Sequence, residues 1–384
     1  MKIKNIVYIS GTRADYGLMR STLREMAKRK DLKLYIAATG MHLMPEFGMT
    51  INEIKRDGFE VHELRATYER DDRSSTAEFV GELIGKLTAL FNKKRPDLVL
   101  LLGDRAEMLA GAIVGQYMGL PVAQIHGGEV TSTVDEAVRH AITKLSHIHL
   151  AATKESADRI IKMGENPKDV FVVGAPGLDE INDSSIKDIS RADLEKSLGI
   201  RFAERFAIVL QHPVSGEIAD AKKQMKDVIE ATIGEGLQAV VIYPNADAGG
   251  RAMIQTIEEY RKHPSVRIFK NVPREEFLGL MKHATVMVGN SSSGIIESSS
   301  FKLPVVNVGS RQEGRQRGCN VIDSGYSQKE ISEAIRKALQ DKKFKDNLKH
   351  CENPYGDGKT GKRIAKLLAD LEISDAMLQK KIMY

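Results

Sequence analysis

LVLLLGDRAEMLAGAIVGQYMGLPVAQI, residues 98–125, opens on five consecutive apolar residues, breaks at Gly103-Asp104, and continues with apolar residues at helical spacing through 105–118 before a second apolar run at 122–125. Apolar runs that do not alternate with polar residues suit strands covered on both faces, and a helical stretch between two of them reads as a parallel βαβ unit. The same rhythm extends outward in both directions. Strand-like runs fall at 3–10, 32–38 and 59–64 before this stretch and at 149–152 and 170–173 after it, with helical patterns at 16–28 and 76–91. It breaks at Gly174–Gly177 and over the charged segment 183–196, then resumes with runs at 206–211, 239–243, 266–269, 284–288, 305–308 and 321–322. The expected fold class is therefore α/β, with two Rossmann-type doubly wound parallel sheets in tandem. Such sheets bind ligands at the carboxyl ends of their strands, so two of them would set a site in an interdomain cleft. The expected domains are residues 1–176, a linker 177–204, a second domain 205–358, and a helical tail within 359–384 that crosses back onto the first.

At roughly 150 residues per domain, a chain of 384 residues suits two such domains. Apolar residues at 42% and charged residues at 28% are those of an ordinary globular protein, and no apolar run approaches the roughly 18 residues of a spanning helix. With no Trp, 5% aromatics and a net charge of only +5, nucleic-acid stacking platforms are not expected. Neither a nucleic acid nor a membrane is an expected partner. The start, MKIKNIVYIS, runs straight into a strand with no signal-peptide core, and Cys319 and Cys351 lack metal-type spacing. The expectation is a cytoplasmic protein with two separate, reduced thiols.

Residues with chemistry cluster after the strand ends. Gly11-Thr12-Arg13 opens a strand-to-helix turn whose free amides and guanidinium suit a diphosphate. Asp104 stands one turn beyond an apolar strand, where it reads either as a functional carboxylate or as a helix N-cap. His126-Gly127-Gly128-Glu129 follows the next strand, and Asp135 and Arg139 stand four apart, where they could pair on one helical face. His147 and His149 read as core or edge histidines. In the second half, Gln211-His212-Pro213 and Pro244–Gly249 close strands, and Gly289-Asn290-Ser291-Ser292-Ser293-Gly294 reads either as a Ser-rich cap or as an anion pocket at a helix start. Arg311 and Arg315 follow a further strand. No spacing of His or carboxylates repeats a metal-ligand frame; no metal and no cofactor are expected.

The ordered set GTRADYG (11–17), GDRAEM (103–108), HGGE (126–129), DEAVRHAITKLSH (135–147), QHP (211–213), PNADAG (244–249), GNSSSG (289–294) and GSRQEGR (309–315) resembles the hydrolysing UDP-N-acetylglucosamine 2-epimerases of sialic acid biosynthesis and their bacterial relatives. The resemblance covers residue 6 to about 325. It implies a GT-B-like pair of domains, no metal, a homodimer or dimer-based oligomer, and conversion of UDP-N-acetylglucosamine and water to N-acetylmannosamine and UDP for sialic acid synthesis, by cleavage of the sugar–phosphate bond with inversion at C2 through a 2-acetamidoglycal; the alternative is the same reaction on a UDP-diacetamido sugar. It further implies that Asp104, Asp135 and His212 are catalytic, and that Arg13, Phe277, Ser291, Ser292, Gly294, Glu297 and Arg311 bind UDP. Non-hydrolysing relatives carry HRREN where this chain has His212-Pro213-Val214. Well-known hydrolysing members have EGGE where this chain has HGGE, which leaves His126, Glu129 and Asp104 as alternatives for the C2 base. Relatives acting on diacetamido sugars of legionaminic acid pathways share HGGE. A GT-B glycosyltransferase is the rival reading, and a non-catalytic nucleotide-sugar sensor a third.

Overall fold

A computed structural model describes residues 3–45, 48–66, 73–130, 135–182, 189–214, 216–244 and 249–383. The chain divides into two compact units, one holding the chain up to Asp179 together with everything from Gly356 onward, the other residues 180–355.

The first unit is built on seven parallel strands: β1 (Lys4–Ser10), β2 (Leu32–Ala38), β3 (Glu60–Glu63), β4 (Leu98–Leu102), β5 (Val122–Ile125), β6 (Ile148–Ala151) and β7 (Val170–Val172), in the order β3-β2-β1-β4-β5-β6-β7. The order reverses between β1 and β4, which pair through Ile6↔Leu98, Val7↔Val99 and Tyr8↔Leu100. Alternate residues of those strands go to opposite layers. Ile6, Tyr8, Leu98, Leu100 and Leu102 pack on helix α1 (Arg13–Ala27), while Val7, Ile9, Val99 and Leu101 pack against α3 (Arg73–Lys94) and α4 (Ala106–Tyr117), with α2 (Ile51–Arg56) on the α1 side. Each fully buried Leu or Ile contributes roughly 1.5–3 kcal/mol. Beyond β5 come α5 (Asp135–Leu145) and α6 (Lys154–Lys162).

The second unit repeats the scheme with β8 (Phe206–Leu210), β9 (Gln238–Ile242), β10 (Val266–Phe269), β11 (Val286–Gly289), β12 (Val305–Val308) and β13 (Val321–Ser324), ordered β10-β9-β8-β11-β12-β13, all parallel. The span 177–204 carries a helix, α7 (Arg191–Leu198), closed by a Ser190/Asp193 capping box and anchored by the fully buried Leu194 among Phe206, Leu278 and Met281. The sheet is flanked by α8 (Ala221–Gly234), α9 (Gly250–Glu259), α10 (Arg274–His283), the one-turn α11 (Ser293–Ile296), α12 (Gln328–Gln340) and α13 (Lys342–Lys349).

After the second unit the chain returns as α14 (Thr360–Asp370), which packs on α1 with Ile364, Ala365 and Leu368 buried. Asp179 accepts from the amides of Thr360 (2.8 Å) and Gly361 (2.6 Å) at its start. Lys4 donates to the carbonyls of Leu368, Ala369 and Leu371 at its end. Farther on, Lys380 Nζ does the same for α5, donating to Thr143 O (3.0 Å), Lys144 O (2.8 Å) and Ser146 O (2.5 Å) while pairing with Glu165 (2.6 Å). A cation at a helix C-terminus meets the orphan carbonyls and the negative end of the dipole.

Cys319 and Cys351 are not apart as expected: their Cα atoms stand 5.6 Å from each other, brought together because residues 319 and 351 lie at the ends of a segment that runs out through β13, α12 and α13 and returns.

Candidate active site

In the first unit, the turn after β1 is organised around a carboxylate. Asp15, in the first turn of α1, accepts from Gly11 N (3.0 Å), Thr12 N (2.7 Å), Thr12 Oγ1 (3.0 Å), Tyr8 OH (3.1 Å) and Ser10 Oγ. The Gly11 and Thr12 amides, expected to be free for a diphosphate, are therefore spent on Asp15. Burial pushes the Asp15 carboxyl above its usual range, against the pull of these donors. Beneath it His42, fully buried, contacts Ser10 Oγ (2.9 Å) and Thr50 Oγ1 (2.7 Å), and burial lowers its pKa to about 4. Arg13 is half-exposed and pairs with Glu53 at 3.3 Å.

After β4, the N-cap residue of α4 is Arg105, so Asp104 is not the helix cap. Its carboxylate is bound instead by Arg139 Nη2, from α5. The other terminal nitrogen of that guanidinium donates to Glu129 O (3.1 Å), and Arg139 is only 4% exposed. One buried cation thus ties the end of β4 to the turn after β5.

That turn is tight. His126 has a φ of 60° and Gly128 a φ of 72°, and a Cβ on Gly128 would stand 2.3 Å from Ser156 O. Only glycine fits there. The chain consequently folds back so that the Glu129 carboxylate, 5% exposed, meets Nδ1 of His126, while Arg159 of α6 holds Gly128 O. Asp104, His126 and Glu129 are brought together. Asp135 is the first residue of α5, and its side chain lies outside the described residues, as do Thr131 and residues 245–248 of the loop closing β9. His147 and His149 are buried, at 4% and 1% exposure, and His149 bonds Glu165 (3.1 Å), as befits core histidines.

In the second unit the organising residue is Asn290. Its side chain accepts from His212 N (2.7 Å) and donates to His212 O (2.9 Å), extending the β8–β11 pairing by one rung. Arg311 Nη1 (3.1 Å) and Gln312 Nε2 (2.8 Å) donate to its carbonyl. Just before it, Gly289 has a φ of 136°, and a Cβ there would lie 2.2 Å from Leu210 O; this close approach seats His212 beside the serine turn. Ser291 is buried and Ser292 precedes α11 without a side-chain cap bond. Gly294 is engaged through its own N–H with Ser291 O (3.0 Å) and faces Val305. Phe277 is 8% exposed on α10 within the Phe206–Ile208 cluster. Glu297 is bound through Oε1 by Arg274, which also holds Glu180 at 3.2 Å, and its Oε2 is buried without a partner among the described residues. Buried carboxylate oxygens normally have a donor, so this one stands out.

Arg139, Asn290 and Arg274 escaped the sequence reading as site organisers. Arg139 is masked by its helical spacing from Asp135; Asn290 lies inside the 289–294 motif, where the serines drew the reading, and no local signal marks Arg274. Among the described residues no group of three or more His, Cys, Asp or Glu could hold a metal, and no helix is long and apolar enough to cross a membrane.

Residues 24–369 match the family described as UDP-N-acetylglucosamine 2-epimerase. The chain belongs to that family. It is 44% identical over 98% of its length, and 99% of the relative's, to a UDP-N,N'-diacetylbacillosamine 2-epimerase (hydrolyzing) of Legionella pneumophila. It is 33% identical over 99% of its length, and 98% of the relative's, to a UDP-N-acetylglucosamine 2-epimerase of Neisseria meningitidis. Among solved structures, a Neisseria meningitidis UDP-GlcNAc 2-epimerase bound to UDP-GlcNAc superposes with a TM-score of 0.79 over 95% of this chain and 99% of that one, at 18% identity. The two parallel-sheet units are thus the GT-B-like fold of the epimerase family.

Proposed function

We propose that this family member is a hydrolysing 2-epimerase acting on a UDP-linked 2-acetamido sugar, with UDP-N,N'-diacetylbacillosamine as its substrate and UDP and the free C2-inverted sugar as products. The observation that carries the reading is the 44% identity, over nearly the whole of both chains, to a relative named for that hydrolysing reaction, against 33% to one named for UDP-N-acetylglucosamine. HGGE at residues 126–129 points the same way.

The chemistry explains why such groups are needed. A sugar C2–H is far from acidic, so its proton leaves only as the C1–O bond to UDP breaks, and the resulting 2-acetamidoglycal then takes up water, with protonation at C2 from the opposite face. Three kinds of help follow: a proton acceptor, donors for the charge growing on the diphosphate, and a group that orients water. In this reading the first unit supplies the acid–base set Asp104, His126, Glu129 and Asp135. The second supplies His212, the serines 291 and 292 and Arg311 for the diphosphate, Glu297 Oε2 for the ribose hydroxyls and Phe277 beside the uracil, with Arg13 as a further nucleotide contact. The nucleotide roles rest on the family resemblance; the partnerless Oε2 of Glu297 supports its share of them.

The test is incubation with each UDP-sugar, without acceptor, followed by NMR of the products. The expected result is UDP plus free 2-epimerised diacetamido sugar, at a kcat/KM at least tenfold above that for UDP-N-acetylglucosamine. The reverse preference would assign the substrate to UDP-N-acetylglucosamine. Release of neither UDP nor sugar would sink the hydrolytic reading.

A further inference from the structure

The turn after β5 carries an inference that rests on the elimination chemistry proposed above. We infer that His126 and Glu129 form a dyad in which the Glu129 carboxylate holds the imidazole as its Nδ1–H tautomer, so that Nε2 of His126 takes the C2 proton.

Glu129 Oε1 lies against Nδ1, and an ionised carboxylate only accepts, so Nδ1 is the nitrogen that carries hydrogen. The lone pair of the neutral ring is then on Nε2, which makes no hydrogen bond to any described residue. The backbone is shaped for this contact. A left-handed φ at a non-glycine residue is unfavourable and persists only where its surroundings hold it. Here His126 N donates to Leu150 O (3.2 Å), Arg159 from α6 holds Gly128 O, and Arg139 from α5 holds Glu129 O. Among the described residues, the charged groups tied to this turn include Glu129 itself, these two guanidiniums, and Asp104 bound to Arg139. Asp104 already neutralises a buried cation, and a proton arriving there would leave Arg139 uncompensated. That favours His126 as the acceptor and gives Glu129 the part of a positioning residue, in the manner of an Asp that fixes a catalytic imidazole.

In the step itself the C2–H bond breaks and its proton goes to Nε2. The electron pair left behind forms the C1=C2 bond, and the C1–O bond breaks with its pair leaving on UDP. One water then adds across the double bond, its hydroxyl going to C1 and a proton, balanced by the one that water releases, reaching C2 from the opposite face, while the imidazolium gives up the original C2 proton to solvent.

The experiment pairs a substrate-free readout with a kinetic one on the full chain. Imidazole nitrogen-15 NMR of wild type should show His126 with Nδ1 protonated and Nε2 bare, and Glu129→Gln should mix or reverse the tautomers. In Glu129→Gln, kcat should fall about 100- to 10,000-fold, while UDP affinity should stay within about threefold. Glu129→Asp, which keeps the charge, should recover part of the rate, and UDP binding shows that each variant is folded. A wild-type ring protonated at Nε2, or a Glu129→Gln enzyme within about threefold of wild type in kcat, would overturn the dyad. A correct tautomer in a protein that turns over neither sugar nucleotide would instead overturn the elimination reading.

Discussion

Arg139 illustrates how one buried side chain sets the chemistry of several others. Its two terminal nitrogens hold the Asp104 carboxylate and the Glu129 carbonyl, so a change at Asp104 acts through it. Asp104→Asn should lose at least 100-fold in turnover and about 2–3 kcal/mol of stability, because a buried guanidinium loses its counter-charge. Titration with UDP should find the affinity unchanged, since Asp104 serves the sugar in the proposed scheme; a weakened UDP affinity would move Asp104 to the nucleotide. Glu297→Ala makes the opposite split. It should weaken UDP binding about 10- to 100-fold, as a ribose loses hydrogen bonds to a charged group worth about 1.5–3 kcal/mol each, and an unchanged dissociation constant would remove Glu297 from the ribose. At this scale the sequence was legible only in part. Chemistry-bearing residue types stand out after apolar runs, which is how Asp104, His126 and Glu129 were found. What a residue touches depends on chain separated from it by tens of residues, which is why Arg139 was read against its neighbour Asp135.

Helices and strands are where local pattern and final structure agree most closely. The runs read at 32–38, 98–102, 122–125 and 305–308 coincide with inner strands at both ends, because central parallel strands are buried on both faces and need apolar residues throughout; the run at 266–269 coincides with the edge strand β10. At the other edge of that sheet β13 runs past its apolar pattern: it was read as two residues and spans Val321–Ser324, since Asp323 and Ser324 continue the pairing with β12 while carrying polar side chains, and Asp323 also accepts from Asn307 Nδ2 of β12 (2.8 Å). The helix terminus at Lys380 was not legible at all, because nothing in the local sequence says that a lysine more than 230 residues away will meet the carbonyls of α5. Lys380→Met should expose those carbonyls and strip the buried Glu165 of one cation, leaving Lys144 (2.6 Å) and the hydrogen bond with His149 (3.1 Å). We expect a stability loss of about 1–3 kcal/mol and faster amide hydrogen exchange confined at first to 135–145. Exchange unchanged in that helix would show that the tail is not what holds it.

For the molecule as a whole, the buried histidines are distributed unequally in consequence as well as in place. Burial lowers His42 and His147 to about 4 and lowers His149 as well, and all three belong to the first unit. Below pH 6.5 the unfolded chain binds protons that these folded sites refuse, so stability is present above that pH and is lost as acid carries the solution down toward 4. At 1.36 kcal/mol per pKa unit, each of His42 and His147 accounts for on the order of 2–3 kcal/mol. The first unit should therefore melt before the second near pH 4.5, as two resolved transitions in calorimetry; a single transition with no pH dependence between 6.5 and 4.5 would contradict it. The return of α14 onto α1 has a different consequence, one that belongs to synthesis. The α1 face that ends up against Ile364, Ala365 and Leu368 is translated more than 330 residues before its cover, with the whole of the second unit made in between. At about 5–20 residues per second that wait is roughly 15 to 70 seconds. Throughout it, the nascent chain presents an uncovered apolar helix face to whatever chaperones attend the ribosome, and the half translated second can be the half that finishes folding first.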